Sequence, residues 1–406
     1  MCIRDRSEFP INLWPNAAQA YHRWILTALR QNMPYDRFAR ELLTSSGSNF
    51  RVPQVNFYRA VQGKEPATLA KAVALTFMGD RMGSWPEDRK SGMVAFFSRV
   101  GYKCTAEWKE EIVLFDASAK AVPSAVLPDG TVAKLPADRD PREAFADWLT
   151  SPANPWFARC MVNRIWYHLL GRGIIHEPDD IRADNLPSHP KVLALLEKEL
   201  VAAKYDLKHV WRLILTSSTY QLSSVPRSDE PKAGGLFAYY PLRRLEAEVL
   251  IDALCQVTGT TEEYSSRIPE PFTWVPREMR SICLPDGSIT SSFLEMFGRP
   301  PRDTGMVSER NNNITAAQRL HLLNSGHIRN KIDRGSMLRS LRREALRAPG
   351  KTTAELYLMV LSRRPTLDEL KALKTYADAN RSQRGANPLA DMMWMLVNSP
   401  EFLYRH

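Results

Sequence analysis

The chain has 406 residues, of which 44% are hydrophobic and 25% are charged, and it carries a net charge of +10. These proportions are typical of a soluble globular protein with room for two domains, and no run approaches the roughly eighteen apolar residues that a membrane-spanning helix needs. The five cysteines lie far apart and form no CxxC pair, which excludes a zinc ribbon, a covalent c-type haem and a dense disulfide framework, so we predict no metal and no cofactor.

The opening "MCIRDRS" has no apolar signal-peptide core, which taken literally indicates a cytoplasmic protein. The same heptapeptide resembles translated sequencing-adapter sequence, and the folded pattern starts only near Asn12. We therefore predict that residues 1–11 are an artefactual or disordered start and that any targeting signal is missing from this chain.

Residues 12–120 are predicted to form a first, helical domain. Apolar residues at helical spacing in 17–43 are interrupted at Met33-Pro34, which indicates two short helices that meet at a proline. The segment "EPATLAKAVALTFMG" predicts a further helix, and the short apolar run in "KEEIVLFDASAK" predicts a strand. Glu107 and Glu111 are predicted to be solvated, as an i, i+4 pair if their stretch is helical.

The stretch "AVPSAVLPDGTVAKLPADRDPR" is rich in proline and contains an Asp-Gly turn signal, which is typical of a linker or an exposed hairpin. We expect the domain boundary here, with a linker at 121–138. Residues 139–406 are predicted to be mostly helical, apart from an excursion of turns and short strands at 260–307. The predicted fold class is therefore mainly α, a multi-helical two-part architecture with a few short strands in the linker and in the excursion.

The stretch "VNRIWYHLLGRGIIHEPDDIRADNLPSHP", residues 162–190, concentrates ionisable side chains between two predicted helices and is called the signature loop below. The first helix is predicted to end at Leu170, with Gly171 as its left-handed cap. The second is predicted to begin near Pro190, with Ser188 or His189 as its cap.

Under a functional interpretation, the signature loop forms a pocket of carboxylates and histidines. Asp179 and Asp180 would act as ligands or general bases, while His176 and His189 would carry protons. Arg182 would clamp an anion. The candidate substrate-binding residues are Asn163, Arg164, His168, Arg172 and Arg182.

Under a structural interpretation, the same residues hold the loop in place. The arginines Arg164, Arg172 and Arg182 would pair with Asp179, Asp180 and Asp184, and the histidines would fill the remaining hydrogen bonds. No HExxH, GxSxG, Walker loop or EF-hand spacing supports the functional interpretation. We therefore favour the structural interpretation, since clusters of ionisable groups mark sites only statistically.

Three other polar segments have simpler interpretations. "SERNNNITAAQ" indicates a helix start with Asn313 or Thr315 near its cap. "PLRRLEAEVL" predicts a group of salt bridges within and between helices, formed by Arg243, Arg244, Glu246 and Glu248. The basic cluster "RNKIDRGSMLRSLRREALR" is first a solvated helix face and only second a binding patch.

Several segments taken together resemble known families. The stretch "DPREAFADWLTSPANPWFARCMVNRIWYHLLGRGIIHEPDDIR" and four later segments resemble the planctomycete domain of unknown function 1553. Those later segments are "LPSHPKVLALLEKELVAAKYDLKHVWRLILTSSTYQLSS", "YPLRRLEAEVLIDAL", "QRLHLLNSGHI" and "NSPEFLYRH". The amino-terminal "NLWPNAAQAYHRWILTALRQNMPYDRFARELLTSSG" resembles the end of its companion, domain of unknown function 1549. The resemblance covers nearly all of the chain after residue 11.

The resemblance implies an exported protein, periplasmic or extracellular, but it names no activity. Many relatives carry an upstream c-type cytochrome domain, and many hold a CxxCH-like stretch at the position of "MGDRMGSWPEDRK". This chain has Gly83, Ser84, Trp85 and Pro86 there, so haem or metal chemistry at that position is predicted to be absent.

Three functional hypotheses follow. The preferred one is a binding or scaffold module of the cell envelope that works beside a cytochrome-like or carbohydrate-active partner. The alternative is a hydrolase of an acidic or sulfated polysaccharide, with Asp179, Asp180, His176 and His189 as its acid and base. A nucleic-acid partner rests on net charge alone and is not predicted.

Overall fold

The computed structural model describes residues 15–61, 63–227, 230, 232–266, 273–285, 287, 289–299, 310–311, 313–380 and 387–405. The chain forms two compact units, Met1–Pro241 and Leu242–His406. Helices dominate both units and the strands are short, so the predicted mainly α fold is confirmed. None of the helices in these described ranges is long and apolar enough to cross a membrane. The predicted artefactual start, residues 1–11, lies outside the described residues.

The helices described in the first unit begin and end where local sequence chemistry indicates. Pro34 directly precedes the helix Tyr35–Thr44, which confirms two short helices that meet at a proline. Asp140 caps the helix Pro141–Leu149 and Asp206 caps the helix Leu207–Leu215, because each carboxylate accepts at least one backbone N–H of the first helical turn. These helices are α1 (Pro15–Arg30), α2 (Tyr35–Thr44), α3 (Asn56–Ala60), α4 (Pro66–Met78), α5 (Glu87–Ala95), α6 (Pro141–Leu149), α7 (Phe157–Leu170), α8 (Pro190–Ala202) and α9 (Leu207–Leu215).

A small antiparallel sheet of order β1-β3-β2 accompanies these helices, with β1 at Gly47–Ser48, β2 at Val100–Cys104 and β3 at Glu111–Phe115. Strand β3 confirms the strand predicted from "KEEIVLFDASAK". The prediction that the glutamates are solvated is wrong for Glu111, which is buried, lies 3.0 Å from Arg59 and also pairs with Lys64. Alternation along a strand turns its side chain inward, which a helical spacing does not predict.

The proline-rich segment 121–138 contains a hairpin. Strands β4 (Ser124–Val126) and β5 (Val132–Lys134) pair antiparallel, which agrees with the hairpin alternative. Buried side chains of this segment, Ala125, Leu127 and Leu135, belong to the core of the first unit. The two compact units meet in sequence at residues 241 and 242, and the domain boundary at 121–138 stays a prediction.

The core of the first unit contains five phenylalanines that are almost completely buried, and burying each contributes roughly 1.5–3 kcal/mol. They are Phe77, Phe96, Phe97, Phe145 and Phe157. They come from α4, α6, α7 and the end of α5. The core therefore holds α7 rigidly, and the signature loop begins at the carboxyl end of α7.

The second unit is built from helices and two short strand pairs. Strand β6 (Arg243–Arg244) pairs with β9 (Tyr404–Arg405), and β7 (Ser265–Ser266) pairs with β8 (Ile289–Thr290). Its described helices are α10 (Ala247–Thr258), α11 (Ser292–Met296), α12 (Ala316–Asn324), α13 (Gly326–Arg334), α14 (Ser336–Ala345), α15 (Pro349–Leu361), α16 (Leu367–Asn380), α17 (Pro388–Val397) and α18 (Pro400–Leu403). The pair β7-β8 confirms short strands in the predicted excursion, of which 300–307 and several other positions lie outside the described residues.

The start of α12 confirms the predicted cap. The Thr315 hydroxyl accepts the backbone N–H of Gln318, and the Gln318 side chain accepts the backbone N–H of Thr315 in return. This reciprocal arrangement satisfies two of the donors that the start of a helix leaves unpaired. It also fixes the Gln318 amide, whose oxygen accepts a hydrogen bond from Arg244.

Candidate functional site

The signature loop leaves α7 at Gly171, whose φ of 77° makes it the predicted left-handed cap. The loop returns into α8, where His189 occupies the cap position and Pro190 the first helical turn, as predicted. Asn163, which is completely buried, holds the loop near its middle. Its side-chain oxygen accepts the N–H of Ile175 at 3.0 Å, and its side-chain nitrogen donates to the carbonyl of Ile175 at 3.0 Å. A candidate substrate-binding amide thus has its hydrogen bonds filled by the loop itself.

Arg164 ties the loop to a second helix. Its Nε donates to Asp179 Oδ1 at 2.7 Å, while Nη2 donates to the carbonyl of Leu75 at 2.7 Å and Nη1 donates to the carbonyl of Thr76. Those two carbonyls belong to the last turn of α4, where helix carbonyls run short of backbone donors, although Leu75 also accepts the N–H of Gly79 at 3.2 Å. Burial lowers the pKa of Arg164, but Cys160 and Asp179 outweigh that effect and the net shift is upward. One side chain therefore joins α7, the loop and the end of α4.

Asp180 and Arg182 form a second pair within the loop. Asp180 Oδ1 lies 2.8 Å from Arg182 Nε, and Asp180 Oδ2 lies 3.0 Å from Arg182 Nη2, which is the two-pronged geometry of a strong ion pair. Arg182 also reaches Asp184 at 3.3 Å. The hydrogen bond that Arg182 donates to Asp180 raises the pKa of Arg182. These contacts leave the candidate anion clamp occupied by two carboxylates of its own loop.

The four remaining candidates do not converge with the two aspartates. His176 and Arg172 are exposed, and the His176 ring lies 3.4 Å from the Glu177 carboxylate. His189 Nδ1 lies 3.2 Å from the Ser188 hydroxyl, and the exposed His168 ring packs edge-on against Trp211. Within the described ranges, no hydrogen bond or ion pair joins His176 or His189 to Asp179 or Asp180. The proposed acid and base groups are thus not linked to one another.

The turn that follows α4 packs against the signature loop. The backbone N–H of Ile181 donates to the carbonyl of Gly79 at 2.8 Å. Gly79 has a φ of 66°, which strains any residue with a Cβ, and a Cβ there would lie 2.9 Å from the end of the Ile181 side chain, which would have to shift. Asp80 stabilises the turn by accepting the N–H of Met82 at 2.7 Å and the indole N–H of Trp85 at 2.9 Å.

This turn is the position where relatives are expected to carry a CxxCH-like stretch, and here the Trp85 indole occupies part of it. Across the part of the chain that the structure describes, no group of three or more histidines, cysteines, aspartates and glutamates is arranged to hold a metal ion. The absence of a metal and a cofactor stays a prediction.

Sequence reasoning missed a chain of ionisable groups in the second unit. His321 Nε2 lies 3.2 Å from His327 Nδ1, and His327 Nε2 lies 3.0 Å from Glu262 Oε2. Lys331 also binds Glu262, at 2.8 Å. Burial lowers the pKa of His321, His327 lowers it further, and Glu262 offsets part of the shift. Both histidines lie in "QRLHLLNSGHI", one of the segments that carry the resemblance. Their presence in one such segment was the sequence feature that could have indicated this group.

The comparisons with known proteins identify a family without an activity. A family model described as "Protein of unknown function (DUF1553)" matches residues 141–377. No curated protein matches the chain, and no solved structure matches it.

Proposed function

Because the chain belongs to the family described as protein of unknown function (DUF1553), which assigns no chemistry, we propose from its geometry that it is a binding or scaffold module. Its expected setting is the cell envelope, periplasmic or extracellular, beside a cytochrome-like or carbohydrate-active partner. The resemblance to exported planctomycete proteins with paired 1549 and 1553 domains supports this setting. The net charge of +10 supports an acidic polysaccharide as ligand.

One observation carries the preference for binding over catalysis. Both candidate carboxylates of the signature loop are engaged by arginines, Asp179 by Arg164 at 2.7 Å and Asp180 by Arg182 at 2.8 Å. A general base needs a free lone pair within hydrogen-bond reach of its substrate, and a general acid needs a raised pKa. Here each carboxylate is already held by a guanidinium of its own chain, Asp179 through Oδ1 and Asp180 through both oxygens. The loop therefore serves to join α7, α8 and α4.

The experiment measures binding and hydrolysis on the same protein. Affinity electrophoresis of the full chain through gels with a sulfated, a uronate-containing or a neutral polysaccharide reports binding. Release of reducing ends from the same polysaccharides reports hydrolysis. We expect retardation by the two acidic polymers, none by the neutral polymer, and no reducing ends.

Two variants identify the groups responsible if hydrolysis is seen. Asp180→Asn removes the charge of a candidate catalytic carboxylate, and Asp184→Asn is its matched control, because Asp184 is on the same loop with a side chain that is 73% exposed. Hydrolysis that is lost in Asp180→Asn and kept in Asp184→Asn would establish the hydrolase alternative. A wild-type protein that no acidic polymer retards would contradict the binding proposal.

A further inference from the structure

A cleft of about 280 Å³ lies beside the β6-β9 strand pair of the second unit. Arg243 is directly opposite Arg405 in this pair, and Arg244 is opposite Tyr404. The cleft is lined by Leu242, Arg243, Arg244, Glu246, Ile314, Tyr404 and Arg405. Its volume is below the roughly 300–1,000 Å³ of sites for drug-sized molecules, so it suits one small group rather than a large ligand.

Arg244 is a half-buried cation whose partners in the described part of the chain are all neutral. Its Nη2 donates to the carbonyl of Phe297 at 2.9 Å and more weakly to that of Asn311 at 3.5 Å, and its Nη1 donates to the Gln318 side chain. Its Nε is buried and finds no acceptor among the described residues. Burial lowers the pKa of Arg244, and Tyr404 offsets only part of this effect. A buried charge without a counter-charge is costly, which suggests that the counter-charge comes from a ligand.

The carboxylate nearest in sequence on α10 does not supply this counter-charge. Glu248 is buried and binds Arg310 through both oxygens, at 2.7 and 3.0 Å, and it also lies 3.5 Å from Arg299. Glu246 lines the cleft and is the only acidic side chain among its lining residues, against three arginines. The formal charge of the lining side chains is therefore +2.

The lining arginines of the cleft and the Gln318 side chain that binds one of them come from three segments that are far apart in the chain. Arg244 lies in "YPLRRLEAEVLIDAL", Gln318 in "QRLHLLNSGHI", and Arg405 in "NSPEFLYRH". These are three of the segments that carry the resemblance to domain 1553. The fold thus brings distant motifs together at one cationic cleft, and the capping box of α12 holds Gln318 in place for Arg244.

We propose that this cleft binds one oxyanion group of an acidic saccharide, a uronate carboxylate or a sulfate ester. Arginine presents planar, paired N–H donors that match either group, and Leu242 and Ile314 offer apolar surface to a sugar ring. The inference rests on the proposed binding function, because it names the ligand group that such a module would recognise.

The test is titration calorimetry of the full chain with sodium glucuronate, sodium sulfate and glucose at constant ionic strength. We expect glucuronate, sulfate or both to bind and glucose not to bind. Arg244→Gln should weaken binding at least about tenfold, because a charged hydrogen-bond donor is lost. Arg405→Gln should weaken binding several-fold. Binding of only one anion supports the proposal and identifies the group.

The matched control is Arg319→Gln. Arg319 is an exposed residue of α12 that does not line the cleft, so its loss removes the same charge from the same unit. We expect wild-type affinity. Equal weakening by Arg319→Gln and Arg405→Gln would show a diffuse charge effect and overturn the proposal, as would a wild-type protein that binds neither anion. If Arg244→Gln does not fold, Arg405→Gln and Arg405→Glu decide the question.

The outcomes separate this inference from the proposed function. Undiminished retardation by acidic polysaccharide in folded Arg244→Gln and Arg405→Gln would overturn the cleft and leave the binding module intact. Conversely, small-anion binding that depends on Arg244, without retardation by any polysaccharide, would support the cleft and contradict the polysaccharide ligand.

Discussion

Two half-buried arginines, one in each unit, both donate hydrogen bonds to backbone carbonyls, but only one of them has a carboxylate partner in the described part of the chain. Arg164 donates to the carbonyls of Leu75 and Thr76, and Arg244 donates to the carbonyls of Phe297 and Asn311. Arg164 also has a carboxylate, Asp179, at 2.7 Å, whereas Arg244 has the neutral Gln318 amide in that role. The pKa of Arg164 is raised and the pKa of Arg244 is lowered.

The difference gives a criterion for separating an arginine that stabilises the fold from an arginine that we propose binds a ligand. Counting charged residues in a motif does not separate them, since both arginines lie in segments rich in acidic neighbours. The distinction is whether the fold delivers a carboxylate to the guanidinium. Where it does, the pair stabilises the fold, and where it does not, an external anion can complete the site.

The largest expected effect on stability comes from breaking the ion pair between Arg164 and Asp179. Arg164→Ala leaves Asp179 without its cation and removes the guanidinium donors from the carbonyls of Leu75 and Thr76, of which Leu75 keeps the backbone N–H of Gly79 at 3.2 Å. The free energy of unfolding should therefore fall by about 2–3 kcal/mol. Urea denaturation of the full chain measures it. Arg172→Ala is the control, because Arg172 is exposed in the same loop, and we expect a change within about 0.5 kcal/mol. Equal stability of the two variants would show that Arg164 does not hold the loop.

Because Arg244 has no carboxylate partner among the described residues, we expect an oxyanion that binds beside it to stabilise the folded protein. An anion that binds only the folded state at ten times its Kd adds about 1.4 kcal/mol to the free energy of unfolding. Wild-type protein should therefore gain stability with glucuronate or sulfate, relative to chloride at equal ionic strength, whereas Arg244→Gln should not. The measurement is the urea midpoint of the second unit's transition. The same gain in both proteins would mean that the anion acts through the solvent and not through Arg244.

Local chemistry explains which features could be predicted from sequence. The helix end at Gly171, the start at Pro190 and the capping role of Thr315 depend on residues within a few positions of each other. The pairing of Asp180 with Arg182 spans two positions and was predicted in its structural interpretation. Such features follow from backbone preferences and short-range hydrogen bonding.

Long-range partners explain the rest. Arg164 reaches carbonyls that lie 88 and 89 positions earlier, and no local pattern indicates them. The salt bridges predicted for "PLRRLEAEVL" left the partner of Glu248 open, and Glu248 binds Arg310, which lies 62 positions later. That long-range choice leaves Arg244 without a carboxylate, and this is why the cleft was not predicted.

The pair within the signature loop should have a smaller effect than Arg164. Asp180→Ala and Arg182→Ala both break the Asp180–Arg182 ion pair, whose side chains are 28% and 40% exposed, and Arg182→Ala also removes the contact with Asp184. Water compensates the partners that remain. We expect each urea midpoint to fall by less than about half of the Arg164→Ala shift. The double variant should lose less than the sum, because the second substitution no longer leaves a partner unpaired. An unchanged or higher midpoint for Asp180→Ala would favour a functional role, since functional groups often cost stability.

The smallest expected effect is on the pH dependence of stability, and it can be compared at one histidine in each unit. Burial lowers the pKa of His321 in the second unit and of His22 in the first below the ordinary value of 6.5. As pH falls through 6.5, the unfolded chain takes up the proton before the folded chain does, so each group lowers stability toward acid pH.

His321→Gln should therefore reduce the loss of stability between about pH 7 and 5.5. His22→Gln should reduce the loss that belongs to its own unit. Urea midpoints at both pH values measure the two slopes, and the His321→Gln effect should be seen in the transition of the second unit. An unchanged slope in His321→Gln would contradict the prediction, because it would show that protonation of His321 does not contribute to the loss of stability toward acid pH.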